Sequence, residues 1–240
     1  GTQMVELSVL ILCGRDPLDS LGHKSKVSIQ QLGMSQTLQT RGHRCGGALI
    51  SLQHVVTVAS CLFDNIAGGS PELIIASQYR VFAGANLLTN DTLPDRIRPI
   101  ANITIHPQYT GPPALANNIA VVTLLTPFAA TVVRPLALPS SSFSPTDFTL
   151  CNVTGWGGNN SSAVGDDGNA LVCDGTFAGV LSDTSDGCTR SSLPEVYTRI
   201  PNYVTWIRTI SGSGSVFNRE IFISFYYYIL ILYNLFNIKI

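Results

Sequence analysis

Short apolar stretches rich in β-branched residues recur through the first half of the chain, at 27–30, 45–50, 55–59, 79–82, 97–105 and 119–125. Gly, Pro, Asn and Ser punctuate the intervals between them. Repeated short strands with turn signals predict an all-β barrel or sandwich. Between Arg96 and His106 the apolar residues Ile97, Ile103 and Ile105 occupy odd positions, the period of a half-buried strand. A Pro-punctuated connection at 126–145 leads to a second set at 150–154, 170–173, 176–181 and 196–199. Tyr203, Val204, Ile207 and Ile210 then follow helical spacing, with Pro201 at the start. The pattern reads as barrel, connection, barrel and terminal helix.

After this helix the pattern breaks. Residues 211–215 are a Ser/Gly run suited to a linker, and 221–240 read IFISFYYYILILYNLFNIKI. Twenty such residues could span a hydrocarbon core as a helix. Tyr226, Tyr227, Tyr228, Tyr233, Asn234, Asn237 and Lys239 make it a costly span, so it is a poor transmembrane segment. The small residues ahead of it also resemble a lipid-anchor signal, and its composition equally suits translated A/T-rich non-coding sequence. Membrane association is therefore expected only through 221–240.

At 240 residues, 45% of them hydrophobic, the chain is long enough for a sizeable core. Fourteen basic residues balance fifteen acidic ones, and no basic stripe exists to neutralise phosphates, which excludes a nucleic-acid partner. The six cysteines at 13, 45, 61, 151, 173 and 188 lack the CxxC pairs of a zinc site; the pattern predicts disulfides, an oxidising compartment, no metal and no cofactor. Asn-x-Ser/Thr sequons at Asn90, Asn102, Asn152, Asn159 and Asn160 agree with a secretory route; Asn90, Asn102 and Asn159 are the glycosylation candidates. The apolar run at 9–13 is too short for a complete signal peptide.

Three ordered stretches, CGGALISLQHVVTVASC (45–61), NNIAVVTL (117–124) and GDDGNALVC (165–173), resemble the chymotrypsin/trypsin family. TGWG (154–157), GVLS (179–182) and PEVYTRIPNYVTWI (194–207) stand around them in family order. The resemblance covers about residues 25–210. It implies two packed six-stranded antiparallel Greek-key barrels, about 27–127 and 133–207, the second truncated, with a C-terminal helix. Residues 1–24 form a preceding segment without an activation motif, and 211–240 a linker and tail.

The resemblance also locates the chemistry. The family needs a serine nucleophile, a histidine base and an aspartate that orients the histidine. The histidine position before the cysteine holds Ser60, the aspartate position before Ile119 holds Asn118, and the third residue of the nucleophile motif is Asp167. A hydroxyl cannot serve as a general base near pH 7, an amide cannot stabilise an imidazolium, and a carboxylate replaces the hydroxyl nucleophile. His43, His54 and His106 fall outside the triad positions, and Asp166 with Asp167 makes an unfavourable carboxylate pair because neighbours on a sharp turn point apart.

Gly165 and Asp166 are the remnant of the family's oxyanion loop. No Ile-Val-Gly-Gly start precedes Val27, so the resemblance implies that Asp166 lacks the amino group that orders it in activated members. Only 158–164 remain of the much longer stretch that carries the specificity-pocket floor, and Ser182-Asp183-Thr184 replaces an apolar substrate wall. Cys45 with Cys61 and Cys151 with Cys173 match family disulfides; Cys13 and Cys188 are left over, to pair together, with another chain, or not at all.

These features point to a secreted, non-catalytic serine protease homologue that acts by binding an unknown protein partner. The alternatives are a degenerate or aberrant gene product without evolved function and, last, the serine endopeptidase that family membership alone implies.

Overall fold

The computed structural model describes residues 10–11, 22–33, 41–64, 69–91, 93–146, 149–156, 166–183 and 195–212. Gly165, Asn159, Asn160, Cys13, Cys188, the shortened stretch at 158–164 and the tail lie outside them. Thirteen strands are described. β1 is Leu10–Ile11, and β2 (Lys26–Gln31) follows a single-turn helix α1 (Gly22–Ser25). Then come β3 (His43–Leu49), β4 (His54–Thr57), β5 (Phe63–Asp64), β6 (Glu72–Leu73), β7 (Tyr79–Ala83), β8 (Ile97–Ile105) and β9 (Ala120–Leu124). The later strands are β10 (Leu150–Val153), β11 (Ala170–Cys173), β12 (Thr176–Asp183) and β13 (Val196–Arg199).

The first set closes on itself in the order β2-β3-β4-β9-β8-β7, because β2 bonds to both β3 and β7. Closure leaves no unpaired edge. Val27, Ile29, Leu49, Val55, Val56, Val81, Phe82, Val121, Val122 and Leu124 are fully buried. Their β-branched and aromatic side chains suit the crowded, pleated wall of a barrel.

In β8 the odd-position alternation does not appear in burial: Ile97, Ile103 and Ile105 are half-buried, Thr104 between the last two is equally so, and the buried residue is Ile100, at an even position. The β8–β9 register shifts between Ile100 and Asn102. The irregularity at Ala101 exchanges the faces of the residues on either side of it.

The second set is expected to be a truncated barrel. Among the described residues it is an open five-stranded sheet in the order β1-β10-β11-β12-β13. Its first strand comes from the N-terminal segment, which pairs parallel to β10. Cys151, Leu171, Cys173 and Ala178 form a buried cluster, with Phe143, Val153 and Tyr197 packed against it. The β5–β6 pairing is likewise absent from the strand pattern, since two-residue strands carry no period.

The terminal helix is real but begins later than its apolar spacing suggests: a 3-10 turn occupies Ile200–Tyr203, and α2 runs Val204–Ser211. Of the described residues, 205–212 belong to a second compact unit. Within it the Thr209 hydroxyl donates to the Trp206 carbonyl at 2.7 Å. No described helix is long and apolar enough to cross a membrane.

A candidate degenerate catalytic centre

Ser60 sits in the 3-10 turn Ala59–Leu62 that ends β4. Two covalent and polar anchors hold this turn. Cys61 is disulfide-bonded to Cys45 of β3. The Arg44 guanidinium donates to the carbonyls of Cys61 at 2.6 Å and Phe63 at 2.5 Å, and to Asp64 Oδ1 at 2.6 Å. A planar fork with several donors suits this task, because one side chain satisfies successive carbonyls of a non-repeating turn.

Asn118 is 1% exposed, just ahead of β9. Asn117 before it has a φ of 53°, and its side chain is held on both sides: its amide donates to the Gln108 carbonyl at 2.9 Å, and the Tyr203 hydroxyl donates to its Oδ1 at 3.0 Å. Asn tolerates this left-handed conformation better than most residues, and it turns Asn118 inward. The Ser60 backbone N–H donates to Asn118 Oδ1 at 2.8 Å. Asn118 Nδ2 in turn donates to Ser60 Oγ at 3.0 Å and Ser182 Oγ at 2.9 Å. That pattern sets the amide's orientation, since only the oxygen can accept from a backbone N–H.

Asp167 lies on the turn between the shortened stretch and β11. Its carbonyl accepts from the Gly46 N–H at 2.8 Å and lies 3.7 Å from Cys61 Sγ, a contact only, because a disulfide sulfur carries no proton. Gly168 follows at φ 87°, and a Cβ there would collide with Thr57 Oγ1 and the Gly46 carbonyl. Only glycine fits on both grounds. The structure thus brings Ser60, Asn118 and the Asp167 turn to one place, where β3, the Ala59–Leu62 turn and β12 meet.

Asp166 has partners that the sequence does not reveal. Asn169 Nδ2 donates to its Oδ1 at 2.9 Å, within the same turn. A positive charge also lies nearby: Lys26, 5% exposed, interacts electrostatically with Asp166. Lys26 Nζ donates to the Gly155 carbonyl at 3.3 Å and stands 4.1 Å over the Trp156 ring. Burial lowers the Lys26 pKa to about 8, and Asp166 works against that shift. Asn169 and Lys26 are thus neighbours of Asp166 among the described residues, a hydrogen-bond donor and a buried positive charge.

The histidines are engaged elsewhere. His43 Nδ1 is 2.6 Å from Ser28 Oγ, and its ring meets Trp156 edge-on at 5.7 Å. His54 Nδ1 is 2.8 Å from Ser51 Oγ, and His106 packs edge-on to Tyr203 at 5.2 Å. Burial lowers the pKa of both His54 and His106. Cys151 and Cys173 form the second disulfide, across directly paired positions of β10 and β11. Among the described residues no cluster of His, Cys, Asp and Glu could hold a metal ion.

The closed barrel, the open sheet and the convergence of the 45–61, 117–124 and 165–173 segments admit direct comparison with known proteins. The Trypsin family model matches residues 22–163 and 158–207. The chain belongs to the trypsin family. Human granzyme M is 29% identical over an alignment covering 75% of this chain and 84% of the relative. Chicken trypsin I-P1 is 27% identical, covering 74% and 84%. The solved structure titled human heparin binding protein matches with a TM-score of 0.59 at 22% identity, over 80% of this chain and 93% of that one, a likeness of fold.

Within the trypsin family frame, the serine expected at the end of the GVLS motif acquires a role that its sequence context hides. Ser182 is 5% exposed and accepts from Asn118, although it reads in the sequence only as part of a lost substrate wall. Its sole signal is a hydroxyl following an apolar strand. Lys26 gives a comparable signal, a lysine opening an otherwise buried strand.

Proposed function

We propose that this member of the trypsin family is a non-catalytic homologue that acts in an extracellular setting by binding a protein partner. The observation that carries the reading is the bonding of Asn118. Its amide lies among the Ser60 N–H, the Ser60 hydroxyl and the Ser182 hydroxyl, so the position that needs an ionised carboxylate facing an imidazole holds a neutral group facing a hydroxyl. Serine has no lone pair basic enough to take a proton from a nucleophile near pH 7. Asp167 has no hydroxyl to surrender one. Two disulfides support an oxidising compartment. The barrel is a rigid platform on which loops can bind without chemistry.

The test is hydrolysis of a panel of peptide substrates, together with labelling by a serine-directed fluorophosphonate, on the folded protein. Neither turnover nor labelling is expected. Turnover that survives repurification and disappears in Asp167→Ala overturns the reading. One rival reading is a degenerate product that does not fold stably: among the described residues the second sheet has two end strands, and unpaired strand edges template aggregation. A single cooperative melt argues against that rival; aggregation without a transition argues for it.

A further inference from the structure

The five sequons look alike in sequence, and the fold separates two of them. Asn102 lies on β8 with its side chain exposed, directly after the register shift that follows Ile100. Its Nδ2 donates to Thr104 Oγ1, the hydroxyl of its own sequon, at 3.2 Å. In the β8–β9–β4 wall Asn102 pairs with Thr123, which pairs with His54, so the three side chains share a face. Both neighbours are partly exposed, which makes this the outer face of the barrel. Asn152 is different: it is half-buried and paired with Val172, in a strand flanked by both β1 and β11.

We infer that Asn102 carries an N-linked glycan and that Asn152 does not. The donor is an oligosaccharide on a lipid pyrophosphate, presented in the secretory pathway. The bond between the sugar's anomeric carbon and the pyrophosphate oxygen breaks, the lipid pyrophosphate leaves, and the anomeric carbon bonds to Asn102 Nδ2, which gives up one proton. The glycosylated amide keeps its second N–H, so the bond to Thr104 survives modification. At Asn102 a large hydrated group enters solvent and displaces no packing, consistent with the surface placement that N-glycans require. At Asn152 the side chain is half-buried, so the same group would have to displace the neighbours that cover it.

Thr123, the partner of Asn102, is five residues from Asn118, about 15 Å at the rise of an extended strand. A glycan rooted at Asn102 shields the β8–β9–β4 face.

The test expresses the full chain behind a secretory signal in a eukaryotic cell, releases glycans with an amidase in heavy-oxygen water, and maps the resulting Asp by peptide mass spectrometry. Label at Asn102 with none at Asn152 is expected. Asn102→Gln and Thr104→Ala should each remove one glycan's mobility shift on a gel, whereas Thr104→Ser, which keeps the sequon, should retain it. An unlabelled Asn102, a labelled Asn152, or loss of the shift in Thr104→Ser overturns the inference. Retention of activity is not the readout, so failure here is distinct from failure of the non-catalytic reading.

Discussion

Among the described residues the two β regions use the same currency of short strands and one disulfide each, yet the first closes into a barrel and the second is a five-stranded sheet with two ends. In the closed barrel β2 is shared between β3 and β7, and every strand finds two neighbours. In the second region β13 ends the sheet on one side, and on the other a two-residue strand from the N-terminal segment is the last neighbour. The contrast teaches where tolerance to sequence loss resides. A sheet whose described strands end without a partner leans on its covalent tie and small buried cluster, whereas each strand of a closed wall is supported from both sides against local opening.

The sharpest way to break this comparison is to remove the same side chain from both regions. Phe82 in the closed barrel is fully buried, and so is Phe177 in the open sheet. Phe82→Ala should cost about 3–5 kcal/mol by denaturant unfolding, and Phe177→Ala less, because an open sheet collapses more readily around the vacated volume. Equal losses would mean that the second region is as tightly constrained as the first.

The disulfides provide the next test. Their cysteines are separated by 16 and 22 residues, so loop entropy assigns each about 3 kcal/mol. Cys45→Ala with Cys61→Ala, and Cys151→Ala with Cys173→Ala, should therefore lower stability by similar amounts in chemical denaturation. The consequence should differ: the first pair also ties the Ser60 turn to β3, and its loss should expose that turn to hydrogen exchange, whereas the second reinforces strands already paired.

Lys26 opens β2 in the closed barrel, near the Asp166 turn that leads into the second region, and probes the electrostatics there. Its folded-state pKa of about 8 is below its ordinary value of 10.5. Between those values the unfolded chain keeps a proton that the folded chain has released, so stability should rise with pH across that window, by an amount on the order of 3 kcal/mol. Below pH 8 both states are charged and the folded state bears the full cost. Lys26→Met should abolish the alkaline rise and raise stability at neutral pH, as measured by denaturant midpoints from pH 7 to 10. A flat profile in the parent protein would contradict the burial of the ammonium.

The smallest expected effect is at Asn118. Asn118→Leu leaves the Ser60 N–H and two hydroxyls without their partner and should cost about 2 kcal/mol. Asn118→Asp should cost less, because a carboxylate can accept from all three donors. Thermal melts of the two variants separate these outcomes; the reverse order would show that burying the carboxylate's charge costs more than its three hydrogen bonds return.

Much of this was legible in the chain itself. Strands β11 and β13 lie where the apolar runs end at turn residues, at Ala170–Cys173 and Val196–Arg199. The family motifs marked Ser60, Asn118 and Asp167, which the fold brings to one place. Other features lay beyond pattern. The face exchange in β8 depends on its register against β9, and two-residue strands have no period to detect. Lys26 reads as a surface residue until the Gly155 carbonyl and Trp156, about 130 positions away, close over it.

By itself, then, the sequence determined where the longer strands lie, which positions the family motifs mark and which cysteines could pair, because those depend on local periodicity and on residue chemistry at marked positions. Only the tertiary structure decided that a strand from the N-terminal segment joins the second sheet, that Ser182 completes the bonding of Asn118, that Lys26 is buried near Asp166, and that Asn102 is exposed while Asn152 is half-buried. Each of these depends on contacts between residues far apart in the chain, and a linear pattern carries no record of who the neighbour will be.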